Sequence, residues 1–283
     1  MPRPPRPDAP IGVFDSGLGG LTVAAAIARA LPDEPLLYLG DTARVPYGTR
    51  SPATVVRYAR KCAGFLNEKG VKLLVVACNT VSAHALGGLA DGTATPIVGV
   101  IRPGARAALD ASAGGPIAVL GTPATIRSDA YLHAVHEIDP ARTVHQVACP
   151  LLVPLVEEGW LDHAVTEMVA REYLAELANT GVDTIVLGCT HYPLLSATLR
   201  RVASDVLGRD VTVVDSATAV AAEVAALLER AVLRHPGGSA GTRHFYVTDA
   251  PETATRVASR FWGDAVAGEA LRLQHVDVVD TKR

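Results

Sequence analysis

KLLVVACNT (72–80) and DTIVLGCTH (183–191) share one pattern: an apolar strand, then cysteine, then threonine in the turn that follows. A second pair, PIGVFDSG (10–17) and PIAVLGTP (116–123), shares another: proline, a four-residue apolar strand and a small polar turn. The offsets are 111 and 106 residues, so the pieces keep nearly the same order and spacing. One such pair is the ordinary likeness of two buried strands. Two pairs in register point to two similar lobes related by a pseudo-two-fold axis.

Working outward, IGVF (11–14), LLYL (36–39), LLVVA (73–77), IVGV (97–100), IAVL (117–120), TIVL (184–187) and VTVV (211–214) read as buried strands. Helical patterns lie between them. Ser51-Pro52 sets an N-cap residue before a first-turn proline, ahead of a stripe of Val55, Ala59, Cys62 and Leu66. A second helix is expected from about Asp162, with Val165, Met168, Val169, Tyr173 and Leu177 inward, ending at Asn179-Thr180-Gly181. Strand–helix alternation of this kind gives an α/β protein with mostly parallel sheets, which bind ligands where strands end and helices begin. An active site in the cleft between the two lobes follows.

Composition narrows the function. Of 283 residues, 49% are hydrophobic and 19% charged, an ordinary globular mix. Lys plus Arg (26) against Asp plus Glu (29) leaves −3, without the basic footprint of a duplex-DNA binder. Apolar runs such as LLVVAC (73–78) fall far short of the ~20 residues of a membrane span. The start, MPRPPRPDAP (1–10), has no apolar stretch behind its arginines and reads as a disordered Pro-rich leader, not a secretory signal. Cys62, Cys78, Cys149 and Cys189 show no C-x-x-C spacing, so neither disulfides nor a metal site is expected, and a cytoplasmic protein with reduced thiols is.

Cysteine at the end of an apolar run is ordinarily packing. Cys62, on a helix stripe, and Cys149, before Pro150, fit that reading. Cys78 and Cys189 fit it less well, because they sit at equivalent strand ends of two related lobes. Helix N-terminal N–H groups there favour a thiolate. Disulfide exchange is one use of two facing thiols, but its cysteines usually lie close in sequence. Inversion of a carbon centre is another: a proton leaves one face while another arrives opposite, so one group starts as thiolate and the other as thiol. Asp15 and His191 are candidates to tune the two sulfurs, although Asp at a strand end is as often a helix cap. The loop GDTARVPYGTRSP (40–52) should project over the sheet ends, where the Tyr47 and Gly48 N–H groups suit a carboxylate. Thr122 and Thr125 offer hydroxyls, to an anion or merely as caps.

The strings VFDSGLGGLTV (13–23), YLGDTARVPYG (38–48), VVACNT (75–80), LGTPATI (120–126), ACPLLVPLVEEG (148–159) and LGCTHYPLL (187–195), in this order, resemble the cofactor-independent glutamate racemases of the aspartate/glutamate racemase superfamily. FYVTDAPETATRVASRFWG (245–263) looks like that family's C-terminal segment. The resemblance implies interconversion of L- and D-glutamate, supplying D-glutamate for peptidoglycan without pyridoxal phosphate or other cofactor. The chain's lysines, Lys61, Lys69, Lys72 and Lys282, stand in no Schiff-base setting. By the same analogy Cys78 takes the α-proton of the D-enantiomer and Cys189 that of the L-enantiomer, assisted by Asp15 and His191. Asp15, Ser16, Asn79, Thr80, Thr190 and His191 would hold the amino-acid head, and Tyr47, Gly48 and Thr122 the side-chain carboxylate. The implied lobes are 11–100 with 210–283, and 101–209, with VTVV (211–214) back in the first; the implied assembly is a homodimer. Alternatives are a superfamily racemase for aspartate or a hydantoin, a decarboxylase (which would keep one cysteine), or a regulatory, gyrase-binding protein on the same scaffold.

Overall fold

A computed structural model describes residues 5–91, 93–263 and 271–278. Ten strands are described: β1 (Ile11–Asp15), β2 (Leu36–Gly40), β3 (Leu73–Val76), β4 (Ile97–Gly99), β5 (Ile117–Gly121), β6 (Val144–Ala148), β7 (Thr184–Gly188), β8 (Thr212–Asp215), β9 (Arg243–Val247) and β10 (Leu273–His275). They form two sheets, ordered β10-β9-β2-β1-β3-β4 and β6-β5-β7-β8. Every described pairing is parallel. Parallel strands need crossover helices on both faces, which is why the central strands are continuous apolar runs.

The repeat maps onto this topology strand by strand. The order β2-β1-β3-β4 recurs as β6-β5-β7-β8, with β1 beside β3 and β5 beside β7. That correspondence corrects one expectation. Residues 211–214 do not return to the first half: Thr212–Asp215 pairs with β7 and is the second-half counterpart of β4. The chain returns one element later, through helix Ala217–Arg230, which packs against helix Leu21–Ala30 of the first half.

Two further expectations change. Residues 5–10 of the expected leader are held in place, because buried Lys72 donates at 2.5 Å to the Pro7 carbonyl and ion-pairs with Glu34 at 2.5 Å. Residues 1–4 lie outside the described residues. Helix Ala164–Ala175 forms, but it buries Thr166, Ala170 and Leu174, whereas Met168 stays 71% exposed and Val165 39%. Its apolar residues run on two adjacent stripes. Val169 and Tyr173 still pack against the core and Leu177 is buried, so the reading fails only at Val165 and Met168. By contrast, helix Pro52–Glu68 starts on Ser51 as read, with Ser51 Oγ accepting the Thr54 N–H, and buries Val55, Ala59, Cys62 and Leu66.

The two halves share a core. One continuous apolar cluster runs from Ile11, Leu21 and Ile27 through Val220 and Val224 to Ile117, Val119 and Ile185. A smaller one, with Phe14, Leu39, Val55, Leu66 and Val76, backs the other face of the first sheet. Burying side chains of this size is worth about 1.5–3 kcal/mol each, so the shared cluster ties the two halves together.

Candidate active site

The carboxyl ends of β1, β3, β5 and β7 open onto one cavity of about 310 Å³. Ser16, Tyr47, Gly48, Cys78, Asn79, Thr80, Thr122, Cys189, Thr190 and His191 line it, together with Val153, Pro154 and Glu157. Asp15 is not on the wall but just beneath it, 1% exposed, with Oδ2 accepting the Gly17 N–H at 3.0 Å.

Cys78 follows β3 and caps helix Asn79–Ala90. Its Sγ donates to Ser16 Oγ at 3.3 Å. Burial pushes the thiol up to about 12, and the Asp15 charge adds to that, with the Ser16 contact acting the other way. Asp15 is itself raised by burial, which the His191 charge and the N–H groups of Gly20, Gly17 and Ser16 only partly offset. Asp15 Oδ1 has no hydrogen-bond partner, and neither has the buried Asn79 Nδ2, whose Oδ1 accepts from Tyr131 at 2.8 Å. One acceptor and one donor are thus left unpaired beside the cavity, a costly arrangement that a charged guest relieves.

Cys189 follows β7. A 3-10 turn, Tyr192–Leu195, comes next in place of the expected α-helix, with Tyr192 N bonded to Cys189 O at 3.2 Å. Cys189 Sγ lies 3.9 Å from His191 Nδ1, and His191 Nε2 lies 3.1 Å from Glu157 Oε1. Burial alone would lower the imidazole, but hydrogen bonds to Cys189 and Glu157 outweigh it and push the group up to about 10. The two hydrogen bonds thus favour the charged form of the imidazole beside this sulfur. Glu157 was not legible as a site residue: in PLLVPLVEEG it reads as one of two polar residues at a helix end.

The first and second halves touch closely around the cavity. Gly19 lies so near the second half that a Cβ would stand 2.4 Å from Thr190 Oγ1 and 2.6 Å from His191 Nδ1. Gly48 does the same against Thr122, with a Cβ 2.9 Å from its side chain, while its carbonyl accepts Ala124 N–H at 3.1 Å. Tyr47 donates its hydroxyl to buried Asp41, which also holds Arg44 at 2.7 Å and Thr248 at 2.9 Å, so the 40–50 loop is fixed over the opening. Thr80, Thr122 and Thr125 bring three hydroxyls within 3.0–3.3 Å of one another across the two halves. Cys62 and Cys149 lie off the cavity, buried at 1% and 0% exposure, with thiols raised by burial. Lys72 lies at the opposite end of β3 from Cys78.

Two buried thiols thus face one cavity from equivalent strand ends. The family model described as Asp/Glu/Hydantoin racemase matches residues 17–224. The chain belongs to that family. It is an isomerase of the amino-acid racemase type. A curated glutamate racemase from Geobacter metallireducens is 51% identical over 253 residues, covering 89% of this chain and 92% of that one. Among solved structures, a glutamate racemase isoform from Bacillus anthracis matches with a TM-score of 0.87 at 38% identity, covering 95% of this chain and 97% of its own. A Francisella tularensis glutamate racemase in complex with D-glutamate also matches with a TM-score of 0.87, at 35% identity, covering 98% of this chain and all 100% of that one.

Proposed function

We propose that this family member is a glutamate racemase that works by two-base proton transfer between Cys78 and Cys189. The supporting observation is the pair of sulfurs on the wall of one cavity, from strand ends that the repeat makes equivalent. In this reading L-glutamate binds with its α-carbon between them. Cys189, beside the imidazolium of His191, removes the α-proton. Cys78, held protonated by its burial, delivers a proton to the opposite face and becomes the base for the return reaction. Proton-transfer groups matched in this way contribute roughly 10²–10⁴-fold each.

The remaining assignments follow from unpaired atoms. Asp15, beneath the wall, attracts the substrate ammonium through its charge, which also eases ionisation of Cys78 by offsetting that charge. Asn79 Nδ2, with Ser16, Thr80 and Thr190, holds the α-carboxylate. Tyr47, Gly48 and Thr122 hold the side-chain carboxylate. The likeness to the named relatives supports glutamate as substrate; D-glutamate supply for peptidoglycan, a cytoplasmic location and a homodimeric assembly are proposed along with it. Among the described residues no helix is long and apolar enough to cross a membrane.

The deciding measurement is α-proton exchange in deuterated water with L-glutamate, D-glutamate and L-aspartate. Exchange with both glutamate enantiomers and little with aspartate is expected. Preference for aspartate overturns the substrate assignment, since one methylene is worth only about 1–3 kcal/mol in a pocket. Racemisation at a near-wild-type rate in Cys78→Ser or Cys189→Ser, followed by circular dichroism of glutamate, overturns the mechanism.

A further inference from the structure

Three successive residues at the end of helix Pro251–Trp262 reach into different halves of the molecule. Trp262, 4% exposed, packs T-shaped on Phe245 of β9 with ring centroids 4.9 Å apart, so the helix is anchored on the first sheet. Phe261, equally buried, meets the His191 imidazole edge to face, 4.9 Å between centroids at 73°. Arg260 Nη1 donates at 2.7 Å to the backbone carbonyl of Glu157. Its guanidinium lies against Gly159, where a Cβ would stand 2.7 Å away on a backbone with φ +80°. Both His191 and Glu157 belong to the second half, so this contact crosses between halves.

The His191 ring needs such support. Its contact to Cys189 Sγ is long, 3.9 Å, and small rotations of the imidazole change it most. Glu157 sits at the last turn of helix Leu152–Glu158 with its carboxylate half exposed, and Arg260 ties that turn to the helix of the first half. Hydrogen bonds at the two ring nitrogens leave rotation about their common axis open, and an aromatic edge against the face closes it.

From these contacts we propose that Phe261 and Arg260 are positioning residues for the His191–Glu157 pair, an arm of the first half that aims the acid–base groups of the second. The inference rests on the cavity being the racemase site. The charged or titratable groups facing His191 are Cys189 in its own turn, Glu157 from helix Leu152–Glu158, Asp15 from β1, and Arg260 behind Glu157. Phe261 adds no charge. A fall in the His191 midpoint on its replacement by a smaller apolar side chain therefore reports lost hydrogen-bond geometry, since the lost burial by itself would raise it.

The test uses the full chain in four forms: Phe261→Leu, Phe261→Trp, Arg260→Ala and wild type. Glutamate racemisation followed by circular dichroism gives kcat and KM. The His191 imidazole is titrated by NMR in ligand-free protein, its signal assigned among nine histidines with His191→Asn. Phe261→Leu is expected to lower kcat about tenfold with KM within twofold, since misplacement of an acid–base group by ~1 Å costs up to 10²-fold. Its His191 midpoint should fall, and Phe261→Trp should restore most of both. Arg260→Ala removes a partly exposed side chain and should show the same two changes at about a third of the size, which decides the matter where Phe261→Leu fails to fold. Unchanged kcat with an unchanged His191 midpoint overturns the proposal, as does a rise in KM alone. A wild type that leaves glutamate untouched refutes the proposed function instead, and the His191 titration still decides this inference.

Discussion

Cys78 and Cys189 hold equivalent places in two copies of a four-strand unit, yet their surroundings are electrically opposite. Cys78 has an acid behind it, Asp15, and a hydroxyl partner, Ser16. Cys189 has His191 beside it, whose charged form is favoured by the hydrogen bonds to Cys189 and Glu157. Duplication supplied equivalent strand ends; divergence of the residues next to each sulfur made their two surroundings differ. Two identical thiol sites would have to pay the cost of splitting their protonation from the substrate's own binding.

The sharpest way to break this comparison is to remove either sulfur. Cys78→Ser and Cys189→Ser should each lower racemisation by about 10²–10⁴-fold, with circular dichroism of the backbone unchanged. Next in size are the neighbours. His191→Asn and Asp15→Asn should each lower kcat/KM about 10–10²-fold, short of a full acid–base loss. Enantiomers have equal free energy, so kcat/KM must fall equally in both directions. The asymmetry should appear instead in the deuterium isotope effect, larger for L-glutamate in His191→Asn and for D-glutamate in Asp15→Asn.

A pH series sharpens the Cys189 side. His191 titrates at about 10 when folded, above the ~6.5 of free histidine. Its charge therefore stabilises the fold fully below ~6.5, and that contribution is lost as pH rises through about 10. Thermal midpoint and kcat should decline together across that window, and Glu157→Gln should move the decline to lower pH. The smallest expected effect is at the shared wall: Thr122→Val should raise KM for glutamate about tenfold by removing one hydrogen bond to a charged group, with kcat within threefold.

Much of this was legible in the chain. Apolar runs ending in cysteine gave β3 and β7, and their partners β1 and β5, because strands buried on both faces carry unbroken apolar sequence. β6 (Val144–Ala148) carries His145 and Gln146 and is only half-buried, so its pattern does not announce a strand. β9, reading RHFYV, was missed for the same reason. The placement of 212–215 was misread although the repeat already contained the answer, since β8 stands to β7 as β4 stands to β3. The exposed face of helix Ala164–Ala175 depended on which of two apolar stripes found a close neighbour, and that is a property of the packing. In the site, cysteines and histidine stood out by their position after strands. Glu157, Arg260 and Phe261 did not, because their importance lies in what they touch across 34 residues and more of chain.

The threonine triangle at the seam has a consequence of its own. Three hydroxyls hold three protons among three oxygens, and Thr125 N–H adds a fourth donor aimed at Thr122 at 3.3 Å. Such a ring can reverse its sense of donation by turning O–H bonds alone, with every heavy atom in place. An arriving carboxylate finds donors already built and merely facing each other, whereas an amide or hydroxyl guest finds the same ring able to accept. Discrimination for anionic side chains must then come from the backbone around the ring, and the hydroxyls give tolerance of small shifts in where that end of the guest comes to rest.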